Sequence, residues 1–241
     1  TVEGLYLSPG LEEVRLYLSR IASEVIVNYD VDGIHLDYVR YPNLDFDFHS
    51  VIRSQFKRRY GIDPLDVVNV DNTLDPELRM FDEWFRFRAR LIDSNVRDIA
   101  RRIDLLDSRI RLSAAVKPDP DDAYFEFGQN WVQWLNDGIV DFVVPMSYFP
   151  ENSTFSSVLA ASLGKVSARK IVVGIGLFKL DPSRAVDQIL ILLGKGVLGY
   201  CLFSYSSLRD DTRYIKQYQT VIPSTNTRPP SDFHPHIRST R

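Results

Sequence analysis

Asp37 closes a short apolar stretch and opens a cluster of ionisable and aromatic groups, Asp30-Val31-Asp32-Gly33-Ile34-His35-Leu36-Asp37-Tyr38-Val39-Arg40-Tyr41-Pro42. Side chains alternate along an extended segment, so Ile34 and Leu36 point one way while Gly33, His35 and Asp37 point the other. The strand therefore delivers a carboxylate at its C-terminal end, with Arg40 and Tyr41 just beyond and Pro42 as the stop. Strand C-termini are where (β/α) barrels carry their reactive groups. General acid–base or nucleophilic catalysis by a carboxylate is the chemistry this arrangement offers. A plain ion pair between Asp37 and Arg40 is the alternative reading.

Other predicted strand ends bring groups of the same character: Lys117 with Asp119, Ser147 with Tyr148, Gly174 with Gly176, and Phe203 with Tyr205. Carboxylates and aromatics with few metal ligands describe a sugar-type site. Glycoside hydrolysis needs two carboxyl groups flanking the bond. Asp37 is the first. For the second, Asp119, Asp121, Glu126, Asp45 and Asp47 all lie near strand ends or in the segment after the first strand, and no spacing rule separates them. Asp119 is carried forward as the second catalytic position, although Asp119-Pro120 also reads as a helix cap. His35, Arg40, Tyr41, Lys117, Tyr148 and Tyr205 are expected to hold substrate.

The elements that must position these groups follow from periodicity. Apolar residues at Val14, Leu18, Ile21, Val25 and Ile26 mark a helix over 11–28 that precedes the Asp37 strand at 31–37. Residues 43–76 read as a long, turn-rich insertion with one short helix at 50–59, a length that usually builds a binding loop. A helix over 77–107 carries Trp84, Phe85 and Phe87, expected in the core rather than in a cofactor box. Strands at 110–116, 140–147, 171–176 and 197–204 then alternate with helices at 123–136, 154–167 and 182–194, a beat of about 30 residues per βα unit with a parallel sheet. A closing helix at 210–221 and a Pro-, Ser-, Thr- and Arg-rich tail at 223–241 complete the chain. The expectation is one α/β domain over 1–222, the C-terminal part of a (β/α)₈ TIM barrel. A closed barrel has eight strands, so the first two or three βα units are expected upstream of Thr1.

Composition narrows the function classes. With 29 Lys and Arg against 32 Asp and Glu, the net charge of -3 provides no field for nucleic acid. No apolar run reaches the ~18 residues of a membrane span. The 4 histidines, with His234 and His236 in the tail, show no ligand spacing, so no metal and no cofactor are expected. Gly174-Ile175-Gly176 lacks the third glycine and downstream acid of a dinucleotide fingerprint, which leaves close packing or sugar approach as its reading. Cys201, the 1 cysteine, sits in an apolar run as an expected buried thiol. Asn152-Ser153-Thr154 fits a glycosylation sequon, a pattern frequent by chance.

Five stretches together resemble a known family: Asn28 through Pro42, Arg58-Arg59-Tyr60-Gly61, Phe87-Arg88, Val140 through Tyr148, and the Gly199 to Leu208 stretch. From about Leu5 to Leu208 the chain resembles the bacterial glycosyl hydrolase-like family 10 proteins. The resemblance implies a (β/α)₈ barrel acting on polysaccharide or cell-wall glycan, exported to the periplasm, surface or exterior. A more distant similarity to family 18 chitinases places Asp37 at the last Asp of D-x-x-D-x-D-x-E and Met146-Ser147-Tyr148 on M-x-Y. It implies substrate contact for Met146 and a sugar platform for Phe203. Val39 stands where those enzymes carry their proton donor, so their substrate-assisted chemistry does not carry over. Gln129-Asn130-Trp131 stands where the family suggests Gln-Asp-Trp.

The leading reading is a glycoside hydrolase using Asp37. A non-catalytic glycan-binding barrel is the first alternative, and a metabolic barrel enzyme using the Gly174 loop for a phosphorylated small molecule is the second.

Overall fold

The computed structural model describes residues 6–68 and 75–221. The expected tail at 223–241, His234 and His236 with it, and the 69–74 part of the insertion lie outside the described residues. The chain divides into two compact units, Thr1–Val143 and Val144–Arg241.

In the first unit, α1 (Glu12–Asn28) runs into β1 (Gly33–Leu36), which pairs in parallel with β2 (Arg111–Val116) from Gly33↔Arg111 to Leu36↔Ala114. Phe142–Pro145 forms β3, on the other side of β2. Asp141 sets that register: its N–H donates to the Leu112 carbonyl at 2.8 Å and its carboxylate accepts the Leu112 N–H at 2.7 Å. The alternation expected of β1 is present, with Ile34 and Leu36 half-buried between exposed Gly33, His35 and Asp37. From Leu112 to Val116 every β2 residue is buried, the pattern of a parallel strand covered on both faces.

The long helix α4 (Asp75–Leu106) packs chiefly against α1. Its Ile92, Val96, Ile99 and Ile103 recur at three- to four-residue steps and are buried, as is Trp84 two turns earlier. Each such side chain stabilises by about 1.5–3 kcal/mol when fully buried. The insertion is more ordered than its sequence suggests. It holds α2 (Ser50–Tyr60) and α3 (Pro64–Val68), and Ile52, Phe56, Val67, Trp84 and Phe87 form a core of their own against α4. The aromatic stripe of α4 is thus core, as expected, with Phe56 edge-on to Trp84 at 5.1 Å.

The single helix expected over 123–136 is instead two, α5 (Pro120–Phe125) and α6 (Trp131–Asn136). Gly128, at φ 70, reverses the chain between them, a conformation that side chains with a Cβ rarely adopt. Proline at the N-terminus of α5 and the Asp119 cap explain its earlier start.

In the second unit, α7 (Asn152–Leu163), β4 (Val172–Gly176), α8 (Pro182–Leu193) and β5 (Gly199–Phe203) form a βα succession. Strands β4 and β5 pair in parallel from Val172↔Gly199 to Gly176↔Phe203. The closing helix expected at 210–221 is α10 (Arg213–Val221), and a short helix that was not expected, α9 (Tyr205–Asp210), precedes it. Extended Asp211 separates them, and its carboxylate accepts the Arg213 N–H at 3.0 Å. Cys201 is exposed rather than buried. Its strand pairs with β4 alone among the described residues, and its central side chains stay partly open.

Candidate active site

At the end of β1 the backbone turns sharply. Tyr38 has φ 55, a left-handed conformation that costs a non-glycine residue free energy and tends to occur where function requires it. The Asp37 carboxylate accepts the Tyr38 N–H at 2.8 Å, which holds the exposed acid against the turn. The Tyr38 ring projects outward at 56% exposure, and the Arg40 guanidinium lies over it at 5.2 Å. Asp37, Tyr38, Val39, Arg40 and Tyr41 line a cavity of about 810 Å³, walled also by Tyr6 and Phe46.

Lys117, past the end of β2, lies 4.1 Å from the centre of the Phe127 ring, and Arg40 lies 5.8 Å from the same centre. Two cations therefore flank one aromatic ring beside the strand that ends in Asp37. Their placement depends on Gln129, 1% exposed. Its Oε1 accepts the Lys117 N–H at 2.8 Å, while its Nε2 donates to the Val39 carbonyl at 3.2 Å and the Ala115 carbonyl at 3.1 Å. Trp131 adds a donation from Nε1 to the Lys117 carbonyl at 3.2 Å. In Gln129-Asn130-Trp131, then, Gln129 ties the ends of β1 and β2 together and Trp131 adds a second bond to the end of β2. Asn130 hydrogen-bonds Asp93, whose carboxyl is raised above the usual range mainly by burial.

Tyr41 reaches the cavity from within the core. It is 2% exposed, its N–H donates to the Phe127 carbonyl at 2.9 Å, and the Arg88 guanidinium stacks 4.4 Å above its ring. Arg88, 1% exposed, donates to the Asn43 carbonyl at 2.7 Å, and burial pushes it down to about 10. This stack fastens the chain after β1 to α4. Sequence reasoning marked Phe87-Arg88 only as part of a resemblance; a lone arginine in an aromatic helix face carries no signal of the loop it will hold.

His35 contacts Ser113 Oγ through Nδ1 at 2.8 Å. Although the residue as a whole is exposed, partial desolvation of its ring lowers its pKa below the ordinary histidine value, and nearby Asp37 opposes this. Of the remaining acids, Asp119 caps α5, its Oδ1 accepting the N–H groups of Asp121 at 2.9 Å and Asp122 at 3.1 Å. Asp47 is buried and bonded to Ser8 Oγ and the His49 N–H, a structural role. Among the described residues no cluster of His, Cys, Asp or Glu suits a metal ion.

The second unit carries an aromatic group of its own. Met146 bridges Gly174 in parallel, and Tyr148 lies across the end of β4. A Cβ on Gly176 would stand 2.8 Å from Tyr148 Cβ, and one on Gly174 would stand 3.3 Å from Tyr148 Cε1. Gly176 admits this side chain, whereas at Gly174 the nearest obstacle to a Cβ is the Pro145 carbonyl oxygen at 2.9 Å; both fit the close-packing reading of the sequence. Phe203 stacks on Tyr148 at 5.5 Å and 13°. Phe178, not singled out by sequence reasoning, stands edge-on to both, at 5.6 and 6.1 Å. Tyr205 opens α9 at 75% exposure.

Comparisons with known proteins bear on the fold and the family. The glycoside hydrolase domain of PgaB (BpsB) from Bordetella bronchiseptica has the same fold, with a TM-score of 0.69 over 92% of this chain and 67% of that one, at 12% identity. The fold is accordingly the α/β type of that (β/α) barrel domain, with five strands among the described residues. An S-layer-related protein of Niallia circulans is 28% identical over 141 residues, 54% of this chain but only 8% of the relative's length. The model of Glycosyl hydrolase-like 10 matches residues 1–190, well over half of the chain, and the chain belongs to that family.

Proposed function

We propose that this protein hydrolyses glycosidic bonds in a polysaccharide or cell-wall glycan, with Asp37 as the essential carboxylate. The observation that carries the reading is the placement of Asp37: an exposed acid at the C-terminal end of a parallel strand, held by the N–H of a left-handed Tyr38, on the wall of a cavity of about 810 Å³. Membership of a glycosyl hydrolase-like family supports it. Asp119 is the proposed second carboxylate. Both of its cap bonds go to Oδ1, which leaves Oδ2 for proton transfer. In the first unit Arg40 and Lys117 are proposed to hold hydroxyls or charged substituents of the sugar, and His35 and Tyr41 to shape the site; in the second unit Tyr148 and Tyr205 are proposed to hold the same kind of group, with Met146 in contact and Phe203 stacking. An exported or cell-surface setting belongs to this reading, supported by the S-layer-related relative. No helix among the described residues is long and apolar enough to cross a membrane.

Asp37→Asn is expected to fold normally and to lose hydrolysis of a polysaccharide substrate by a factor of about 10³ or more, the loss that accompanies removal of an acid–base or nucleophilic group. Reducing-end release by purified protein measures this. Undiminished activity in the variant would remove Asp37 from the mechanism. The rival reading, a glycan-binding barrel without catalysis, is favoured by the capping role of Asp119. It predicts glycan binding with no turnover in the unsubstituted protein. The phosphate-binding reading has little support, because Tyr148 fills the space above Gly174 and Gly176.

A further inference from the structure

The charges of the second unit are unevenly placed. Near the C-terminal ends of its strands the arginines are ion-paired: Arg184 with Glu151 and Asp181, Arg209 with Asp210, and Arg213 with Asp211. Lys165, Arg169, Lys170 and Lys195 lie at the other end, on the turns that lead into β4 and β5. Those turns, residues 164–170 and 194–198, contain no carboxylate. They are adjacent, because the Leu198 N–H donates to the Ala168 carbonyl at 3.2 Å and to the Ile171 carbonyl at 2.9 Å. The acid nearest to either turn in sequence is Asp187, about two turns before the end of α8. One end of the unit therefore gathers positive charge while the other balances it.

Helix ends account for part of this. A cation is favoured beside a helix C-terminus, and Lys165 and Lys195 closely follow those of α7 and α8. Arg169 and Lys170 lie on the 3₁₀ turn Ala168–Lys170, where no long helix asks for them. Apolar side chains stand beside the cations. Leu193, in the last turn of α8, is 68% exposed, and Leu190, one turn before it, is 45% exposed. A soluble polyanion would satisfy the cations and leave both leucines in water. An anionic bilayer takes both groups at once: its headgroup phosphates meet the cations, and the leucines enter the boundary of the acyl chains. Long lysine and arginine side chains reach past the leucines to make this possible.

We propose that the turns 164–170 and 194–198, together with the end of α8, form a docking surface for an anionic lipid bilayer. Strands β4 and β5 run in parallel away from this surface, so the strand ends that carry Gly176 and Phe203 lie on the side that faces away from the lipid. A glycan would reach that side without crossing the docked face. The surface goes beyond the glycosidase reading and does not depend on it.

Co-sedimentation of the full chain with vesicles of phosphatidylglycerol or of phosphatidylcholine tests this. Binding is expected to the anionic vesicles alone, and to disappear as ionic strength rises from about 0.1 to 1 M and the Debye length falls from about 10 to 3 Å. Arg169→Gln should weaken it about fivefold, and the triple variant Lys165→Gln, Arg169→Gln, Lys195→Gln about 100-fold. Arg209→Gln removes one positive charge at the opposite end and should leave binding unchanged. Leu193→Ser should weaken vesicle binding roughly fivefold and leave binding of inorganic polyphosphate unaltered. All of these side chains are exposed, so circular dichroism should show intact folding in each variant. Equal binding to the two kinds of vesicle would overturn the proposal, as would an Arg209→Gln loss as large as that of Arg169→Gln. Vesicle binding that polyphosphate displaces and Leu193→Ser does not weaken would replace the bilayer with a soluble polyanion. Absence of binding to phosphatidylglycerol at low salt would overturn the docking surface and leave the glycan reading standing, since reducing-end release measures that separately.

Discussion

Replacing Gln129 with leucine should be among the most destabilising single changes in the first unit, although it preserves size and apolar packing. The amide makes three hydrogen bonds, accepting from the Lys117 N–H at 2.8 Å and donating to the Val39 and Ala115 carbonyls at 3.2 and 3.1 Å. At 1% exposure, no water replaces them when the amide is lost. With roughly 1 kcal/mol for each bond, the loss is about 3 kcal/mol. For a chain of 150–250 residues that corresponds to a fall in Tm of about 6–12 °C, read by far-UV circular dichroism. Gln129→Glu keeps the acceptor, loses both donations and buries a carboxylate. Burial raises the folded-state pKa of such a group above its unfolded value, near 4.3. Its deficit should therefore grow as pH rises above that value and shrink on acidification. Hydrolysis should fall in both variants, because Val39 lies between Asp37 and Arg40 and the Lys117 backbone loses its tether. A Tm shift of Gln129→Leu below about 1 °C would refute the reasoning. It would mean that the strand ends are held by their own ladder bonds and that the amide is incidental.

Two further outcomes are expected. Gly176→Val places a branched side chain where even a Cβ would lie 2.8 Å from Tyr148 Cβ; overpacking of this kind costs about 1–3 kcal/mol. Displacement of Tyr148 should reduce glycan affinity in the same variant, and unchanged affinity would show that Tyr148 does not contact the sugar. His35 should titrate below its ordinary value near 6.5, since burial lowers its pKa. As pH falls below that value the unfolded chain takes up a proton that the folded chain refuses, so the stability advantage of the wild type over His35→Gln should shrink between about pH 7 and 5. An NMR titration midpoint at or above about 6.5 would contradict this.

Local sequence determined the parts that depend on periodicity and on residue chemistry near in the chain. The alternation of Ile34, His35, Leu36 and Asp37 predicted which side of β1 is packed, the βα beat predicted parallel strands, and Asp119-Pro120 predicted a capped helix. The family, too, was legible from the Asp30 to Pro42 stretch and its companions. The departures have local causes of another kind. Gly128 adopts φ 70 inside what reads as one continuous helical pattern, and apolar periodicity does not report a single left-handed residue. The insertion looked irregular because Ile52, Phe56 and Val67 have meaning only once Trp84 and Phe87 arrive from α4.

Only the tertiary structure decided how the ends of the strands are joined and what stands beside them. The Gln129 amide reaches Val39 across 90 residues of sequence, and Arg88 covers Tyr41 from a helix whose pattern gives no hint of that contact. Phe178 follows a strand as one phenylalanine among 14 and joins an aromatic group only because Tyr148 and Phe203, from two other segments, meet it nearly at right angles. Residue type sets what a side chain can do, and periodicity sets which face of its element it occupies. Which distant groups share its surroundings is settled by packing, where hydrogen bonds and ring contacts form between residues that no local pattern links.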